Sequence, residues 1–138
     1  ASILFVVIKV ALITTNKILA QSLAAAIKAR PDLEFELFLL LNSNQALLDA
    51  EIFDIDVALI DFALINALDS DTEEKEIPLS FCEKLHTTLP NCHLLMLVSQ
   101  DDLASRQMAT EAKGKKIVDD FVFYDASLDY LFAKLAAF

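Results

Sequence analysis

Short apolar runs alternate with stretches of helical periodicity along the whole chain, and that alternation limits the fold more than any other feature. The runs at 3–13, 34–41, 57–60, 93–98 and 121–123 have the length and composition of buried strands. Between them, apolar residues recur at helical spacing. Over 17–29 the stripe is Ile18, Leu19, Leu23 and Ile27, with Asn16 as N-cap and Arg30-Pro31-Asp32 as the stop. Asn42-Ser43-Asn44 caps a short helix over 45–51. A third helix is expected over 79–88, and Asp101 or Asp102 caps a fourth that reaches about residue 112. The last helix, over 127–138, turns Leu128, Leu131, Phe132 and Leu135 to one face. Five strands with helices between them predict one parallel sheet covered on both faces. Right-handed crossovers leave few topologies. The expectation is a flavodoxin-like, doubly wound five-stranded parallel sheet in the order 2-1-3-4-5. A single glycine (Gly114) and three prolines leave little material for the turns of an all-β protein. With 138 residues and no repeat or linker, the chain reads as one domain over 1–138.

The net charge of −10 argues against direct nucleic-acid contact, which needs a basic face, and against anionic membrane surfaces. The apolar run at 3–8 is interrupted by Lys9 and falls short of the roughly 20 residues that span a bilayer. It lacks the flanks of a secretory signal, so a cytoplasmic protein is expected. Cys82 and Cys92 form neither a zinc pattern nor a disulfide framework and read as reduced thiols. His86 and His93 fit no metal-ligand spacing. The acidic stretch 66–76 reads as a solvated loop insertion, with a docking site for a basic partner as the alternative.

Ligands in open α/β sheets gather at the carboxyl ends of the strands. In the expected sheet those ends bring together Thr14-Thr15, Asp61, Ser99 and Tyr124. Asp61 is the carboxylate of this set, and a capping role for its own loop competes with a functional one. The turn at 13–18 has no glycine for a dinucleotide or P-loop site, although Thr14-Thr15-Asn16 before a helix could cradle a phosphate such as that of a flavin. No Ser-His-Asp, Cys-His or zinc constellation is readable, and no enzyme is expected.

The segments ALITTN at 11–16, DVALIDF at 56–62, LLMLVSQDD at 94–102 and DFVFYDAS at 120–127 make the chain, over nearly its whole length, resemble the receiver domain of two-component response regulators. In that family an acidic pair after the first strand holds Mg²⁺, and an aspartate after the third accepts a phosphoryl group. A hydroxyl residue after the fourth strand and a lysine after the fifth contact that group. The resemblance makes Asp61 the phosphoacceptor equivalent and Ser99 the switch hydroxyl. Thr14 and Thr15 replace the acidic pair, and Tyr124 replaces the lysine. Mg²⁺ is held through carboxylates, phosphate oxygens and water, so only weak Mg²⁺ binding at Asp61 is expected and no other cofactor. Tyr124 can donate a hydrogen bond but brings no positive charge.

What the resemblance implies is an atypical receiver, a pseudo-receiver, that signals by protein–protein contact with little or no phosphorylation. The implied partners are a second copy, a sensor kinase or an output domain. The implied surface is the fourth helix, last strand and last helix, here 102–112 and 121–138. A role in transcription would require a DNA-binding domain after residue 138. The rival reading is a phosphoacceptor receiver modified on Asp61, and a weaker one is a small-ligand or flavin-binding module. The apolar end Leu135-Ala136-Ala137-Phe138 marks either an interface or a segment that folds back onto the sheet.

Overall fold

Five parallel strands run β1 (Ile8–Ile13), β2 (Phe35–Leu40), β3 (Val57–Asp61), β4 (His93–Val98) and β5 (Asp120–Phe123). They pair in the order β2-β1-β3-β4-β5, the expected flavodoxin-like topology. The computed structural model describes residues 7–63 and 79–138, with the backbone alone at 43 and 44. The helices among these residues are α1 (Lys17–Lys28), α2 (Ser43–Phe53), α3 (Ser80–Thr88), α4 (Leu103–Gly114) and α5 (Leu128–Ala136).

The period of two along each strand divides the core into two layers. Val10, Leu12, Val57, Leu59, Leu95, Leu97 and Val122 face α1 and α5, where they meet Leu23, Ile27, Leu131, Phe132 and Leu135. Ala11, Ile13, Ala58, Ile60, Leu94, Met96 and Val98 face the other side, against Ala46, Ala50, Cys82, Leu85, Ala109 and Ala112. The central strands are buried on both faces, which is why they read as unbroken apolar runs. Cys82 and Cys92 are free and buried. Asp120 pairs with Lys113 at 3.0 Å and with Lys134, and so ties α4, β5 and α5 together.

Several boundaries differ from the sequence reading. β1 begins at Ile8, after an exposed Val7; residues 3–6 and the acidic stretch 66–76 lie outside the described residues. α2 extends past the expected 45–51 at both ends, and α4 runs on to Gly114. Both helices are followed by a residue in left-handed backbone, Asp54 (φ 55°) after α2 and Lys116 (φ 61°) after α4. That conformation ordinarily ends a helix at glycine or asparagine, so neither stop carries its usual residue. Ile18 and Leu128 leave the expected apolar stripes, at 79% and 50% exposure, because each sits in the first turn of its helix, beside the cap. The caps themselves are Asn16, Asp102 and Ser127, each accepting a backbone N–H with its side chain. No helix of the described residues is long and apolar enough to cross a membrane.

Phe138 folds back. Its ring stacks on His93, at the start of β4, with centroids 4.8 Å apart and planes 15° apart.

Candidate functional site

The alternation that builds the core also builds the rim. Thr14 follows Val10 and Leu12, Asp61 follows Val57 and Leu59, and Tyr124 follows Val122, each two positions on, so all three continue the layer that faces α1 and α5. Parallel register sets the strand ends side by side: Ile13 pairs with Ile60, Asp61 with Leu97, and Leu97 with Val122. Two backbone bonds continue the ladder past the strands. Thr14 N donates to the Leu40 carbonyl at 3.3 Å, and Tyr124 N donates to the Val98 carbonyl at 3.1 Å.

At this rim Asp61 is buried, with 4% of its surface exposed, and Thr14 is fully buried. The Thr14 hydroxyl donates to Asp61 Oδ2 at 2.6 Å. The Ala63 backbone N–H donates to Oδ1 at 3.1 Å, closing the loop after β3. The Tyr124 hydroxyl donates to the same Oδ1, reaching past β4 from the end of β5. A carboxylate has about four lone-pair sites, and three of them are filled here. Burying a carboxylate is costly unless hydrogen bonds or charges compensate; the compensation comes from three neutral donors, and among the described residues no ion pair involves Asp61. Thr14 is itself held, because its Oγ1 accepts from Asn16 N at 2.9 Å. Asn16 in turn caps α1 by accepting from Leu19 N at 3.1 Å.

Not every expected residue joins this cluster. Thr15 is exposed and makes no bond to Asp61, so one of the two threonines lines the site. Ser99 is half-buried at the end of β4, and its hydroxyl makes no hydrogen bond among the described residues. Gln100 and Asp125 are an addition. With its amide nitrogen turned toward Asp125, Gln100 donates to Asp125 Oδ1 at 3.0 Å and joins the loops after β4 and β5. Nothing in their spacing announced that contact; adjacency of the two strand ends in the sheet order was its available signal.

Among the described residues no group of three or more His, Cys, Asp or Glu side chains gathers as a metal site. The residues beside Asp61 that could complete a Mg²⁺ shell are hydroxyls and backbone groups, weaker partners for a hard dication than carboxylates. Beneath Tyr124, an apolar cavity of about 110 Å³ lies between the sheet, α1 and α5, lined by Leu19, Leu23, Leu97, Val122 and Leu131 among others. It is smaller than the roughly 300–1,000 Å³ of ordinary small-molecule pockets, too small to enclose a flavin ring system.

No family model and no curated protein sequence matches the chain. Solved structures do. A response regulator from Thermotoga maritima superposes with a TM-score of 0.71 at 16% identity, covering 96% of this chain and 97% of that one. A response regulator from Burkholderia pseudomallei, solved with a phosphorylated aspartic acid and a calcium ion, gives 0.68 at 20% identity, covering 93% of this chain and 66% of that one. The fold is that of response-regulator receivers. An adenylate cyclase structure from Rhodopirellula baltica shares this receiver fold, with a TM-score of 0.72 at 19% identity over 96% of this chain and 87% of that one. At such identities the likeness concerns the path of the chain alone. In the receiver fold of this chain, the rim carries one buried carboxylate ringed by neutral donors.

Proposed function

We propose that the chain is a receiver-like signalling domain that acts by protein–protein contact, with little or no phosphorylation of Asp61. One observation carries the reading: the Asp61 carboxylate is buried and engaged by Thr14, Ala63 and Tyr124. A phosphoryl group arriving there would have to displace these donors. It would find a tyrosine where a cation is needed and a threonine where a metal-binding carboxylate is needed. Preorganised charge is the main means of stabilising a phosphoryl-transfer transition state, and this site supplies little of it.

In this reading the contact surface is the α4–β5–α5 face. A groove between α4 and β5 is lined by Leu103, Arg106, Gln107, Thr110, Phe121 and Phe123. Leu103 in that groove is 57% exposed, and Tyr130 on α5 is 50% exposed. The Asp120 pairs with Lys113 and Lys134 hold the three elements as one unit, which suits a surface that presents a fixed shape. The partners proposed are a second copy, an output domain or a sensor kinase.

Light scattering of the full chain, with and without Mg²⁺ and beryllofluoride, tests the reading, alongside a Leu103→Glu variant. Association that beryllofluoride leaves unchanged and Leu103→Glu abolishes is the expected result. Association switched on by beryllofluoride would favour the phosphoacceptor alternative, in which modified Asp61 engages Ser99.

A further inference from the structure

Helix α2 turns most of its large apolar residues away from the core. Its core-facing positions are Ala46 and Ala50, both fully buried, whereas Leu48 and Ile52 are 50% and 64% exposed and Phe53 is 38% exposed. Helices on a sheet normally turn their largest apolar residues inward. Here small residues let the helix lie close to the sheet and Leu47 packs half-buried against the core, while the other large apolar residues form an outer stripe. Leu48 and Ile52 are four positions apart and therefore neighbours on the helix surface. The Phe53 ring stacks on Phe38 of β2, with centroids 4.7 Å apart, which carries the apolar surface to the edge strand of the sheet. Exposed apolar residues scattered singly need no explanation, but a continuous patch does.

Charge indicates what would cover it. Residues 31–63 contain eight carboxylates and no lysine, arginine or histidine. Glu36, Glu51, Asp54 and Asp56 are exposed, and Asp49 is half-buried. Lys9 lies beside the end of α2, but its ammonium donates to the Phe53 carbonyl at 3.2 Å and its backbone N–H to the Asp56 carboxylate at 2.9 Å. The patch is therefore an apolar ridge set in an anionic field.

We propose that α2 and the adjoining edge of β2 dock a basic amphipathic helix of a partner protein. Its apolar face would pack along Leu48, Ile52 and Phe53, and its lysines or arginines would meet the surrounding carboxylates. A ridge with i, i+4 spacing is suited to helix-on-helix packing. A second copy of this chain would set carboxylates against carboxylates, and like charges across an interface are unfavourable. The stretch 66–76 of the same chain carries Asp69, Asp71, Glu73, Glu74 and Glu76 with only Lys75 in compensation, and meets the same objection. This surface is separate from the Asp61 site, and the inference does not rest on the reading given for that site.

The test is a titration of the isotopically labelled full chain with a peptide of about 18 residues, made of leucine and lysine with the leucines at helical spacing. Resonance shifts should concentrate in residues 35–41 and 45–53, and binding should weaken as salt is raised. Leu48→Ser with Ile52→Ser should weaken it about tenfold or more while circular dichroism and melting temperature hold. The same peptide with glutamate for lysine should not bind. Shifts that map to another face, equal binding by the double variant, or equal binding of the glutamate peptide would overturn the proposal. So would concentration-dependent shifts at α2 without peptide, which would mean a second copy. Shifts at α2 when 66–76 is replaced by a Gly/Ser linker would mean that the chain covers its own patch, and would also overturn it.

Discussion

The Tyr124 hydroxyl donates to the carboxylate of Asp61 from two strands away, across the end of β4. That contact is a neutral hydrogen bond, which brings no positive charge to the carboxylate. Thr14 does the same from β1. In the proposed reading, these neutral donors satisfy the buried carboxylate without supplying the charge that phosphoryl transfer needs.

The first prediction orders two substitutions. Thr14→Val should cost about 1–3 kcal/mol, because it leaves both Asp61 Oδ2 and the Asn16 N–H without a partner inside the fold. Tyr124→Phe should cost less, about 1 kcal/mol, because Tyr124 is 41% exposed and water can take the place of its hydroxyl. Urea denaturation of the two variants checks the order, and a larger loss for Tyr124→Phe would contradict the role assigned to Thr14.

Thr14→Asp should destabilise the protein by about 3 kcal/mol, since it buries a second carboxylate beside Asp61 with no cation among the described residues to offset it. Millimolar Mg²⁺ should restore part of that stability, because a metal that binds the folded state alone stabilises it by mass action. Thermal melts with and without Mg²⁺ measure both effects. Equal melting temperatures for the variant and the parent chain in metal-free buffer would contradict the burial argument.

How much of this was legible in the sequence follows from the two periodicities. The strands were legible because burial on both faces leaves unbroken apolar runs. Their alternation with helices implied a parallel sheet, and the order 2-1-3-4-5 was one choice among the few topologies left. Asp61 was legible as the residue that ends such a run. The pairing of Thr14 and Tyr124 with it is a finer matter of side: the period of two that puts Leu12, Leu59 and Val122 on one face also selects Thr14 over Thr15 and brings Tyr124 to the same side. Helix ends were less legible, because Asp54 and Lys116 adopt left-handed backbone without glycine. The exposed face of α2 was hidden for another reason. Leucine and isoleucine in a short helix read as core, and only the buried alanines reveal that they point outward.

Burial of Cys82 pushes its thiol up to about 12 from an ordinary value of 9.0, with Glu83 adding to the shift, and burial does the same for Cys92, with Asp56 and Asp119 adding to it. The folded state therefore holds these protons more tightly than the unfolded chain does. That contribution to stability is fully present below about pH 9 and is lost as pH rises toward 12. At pH 8 both thiols should react with a disulfide reagent only as fast as the protein opens, and both should react at once in denaturant. Rapid labelling of either cysteine in the native state would contradict their burial.

Phe138→Ala should cost about 0.5–1.5 kcal/mol by removing the stack on His93, while leaving the oligomeric state unchanged. Denaturation together with light scattering reads both. Loss of a dimer on this substitution would instead place Phe138 in an interface.

The most direct test of the central claim is the intact mass of the full chain after incubation with acetyl phosphate and Mg²⁺. With Asp61 held by Thr14, Ala63 and Tyr124 and no cation beside it among the described residues, the mass should stay that of the unmodified chain. A stoichiometric phosphoryl adduct that disappears in Asp61→Asn would contradict the account and make the domain a working phosphoacceptor.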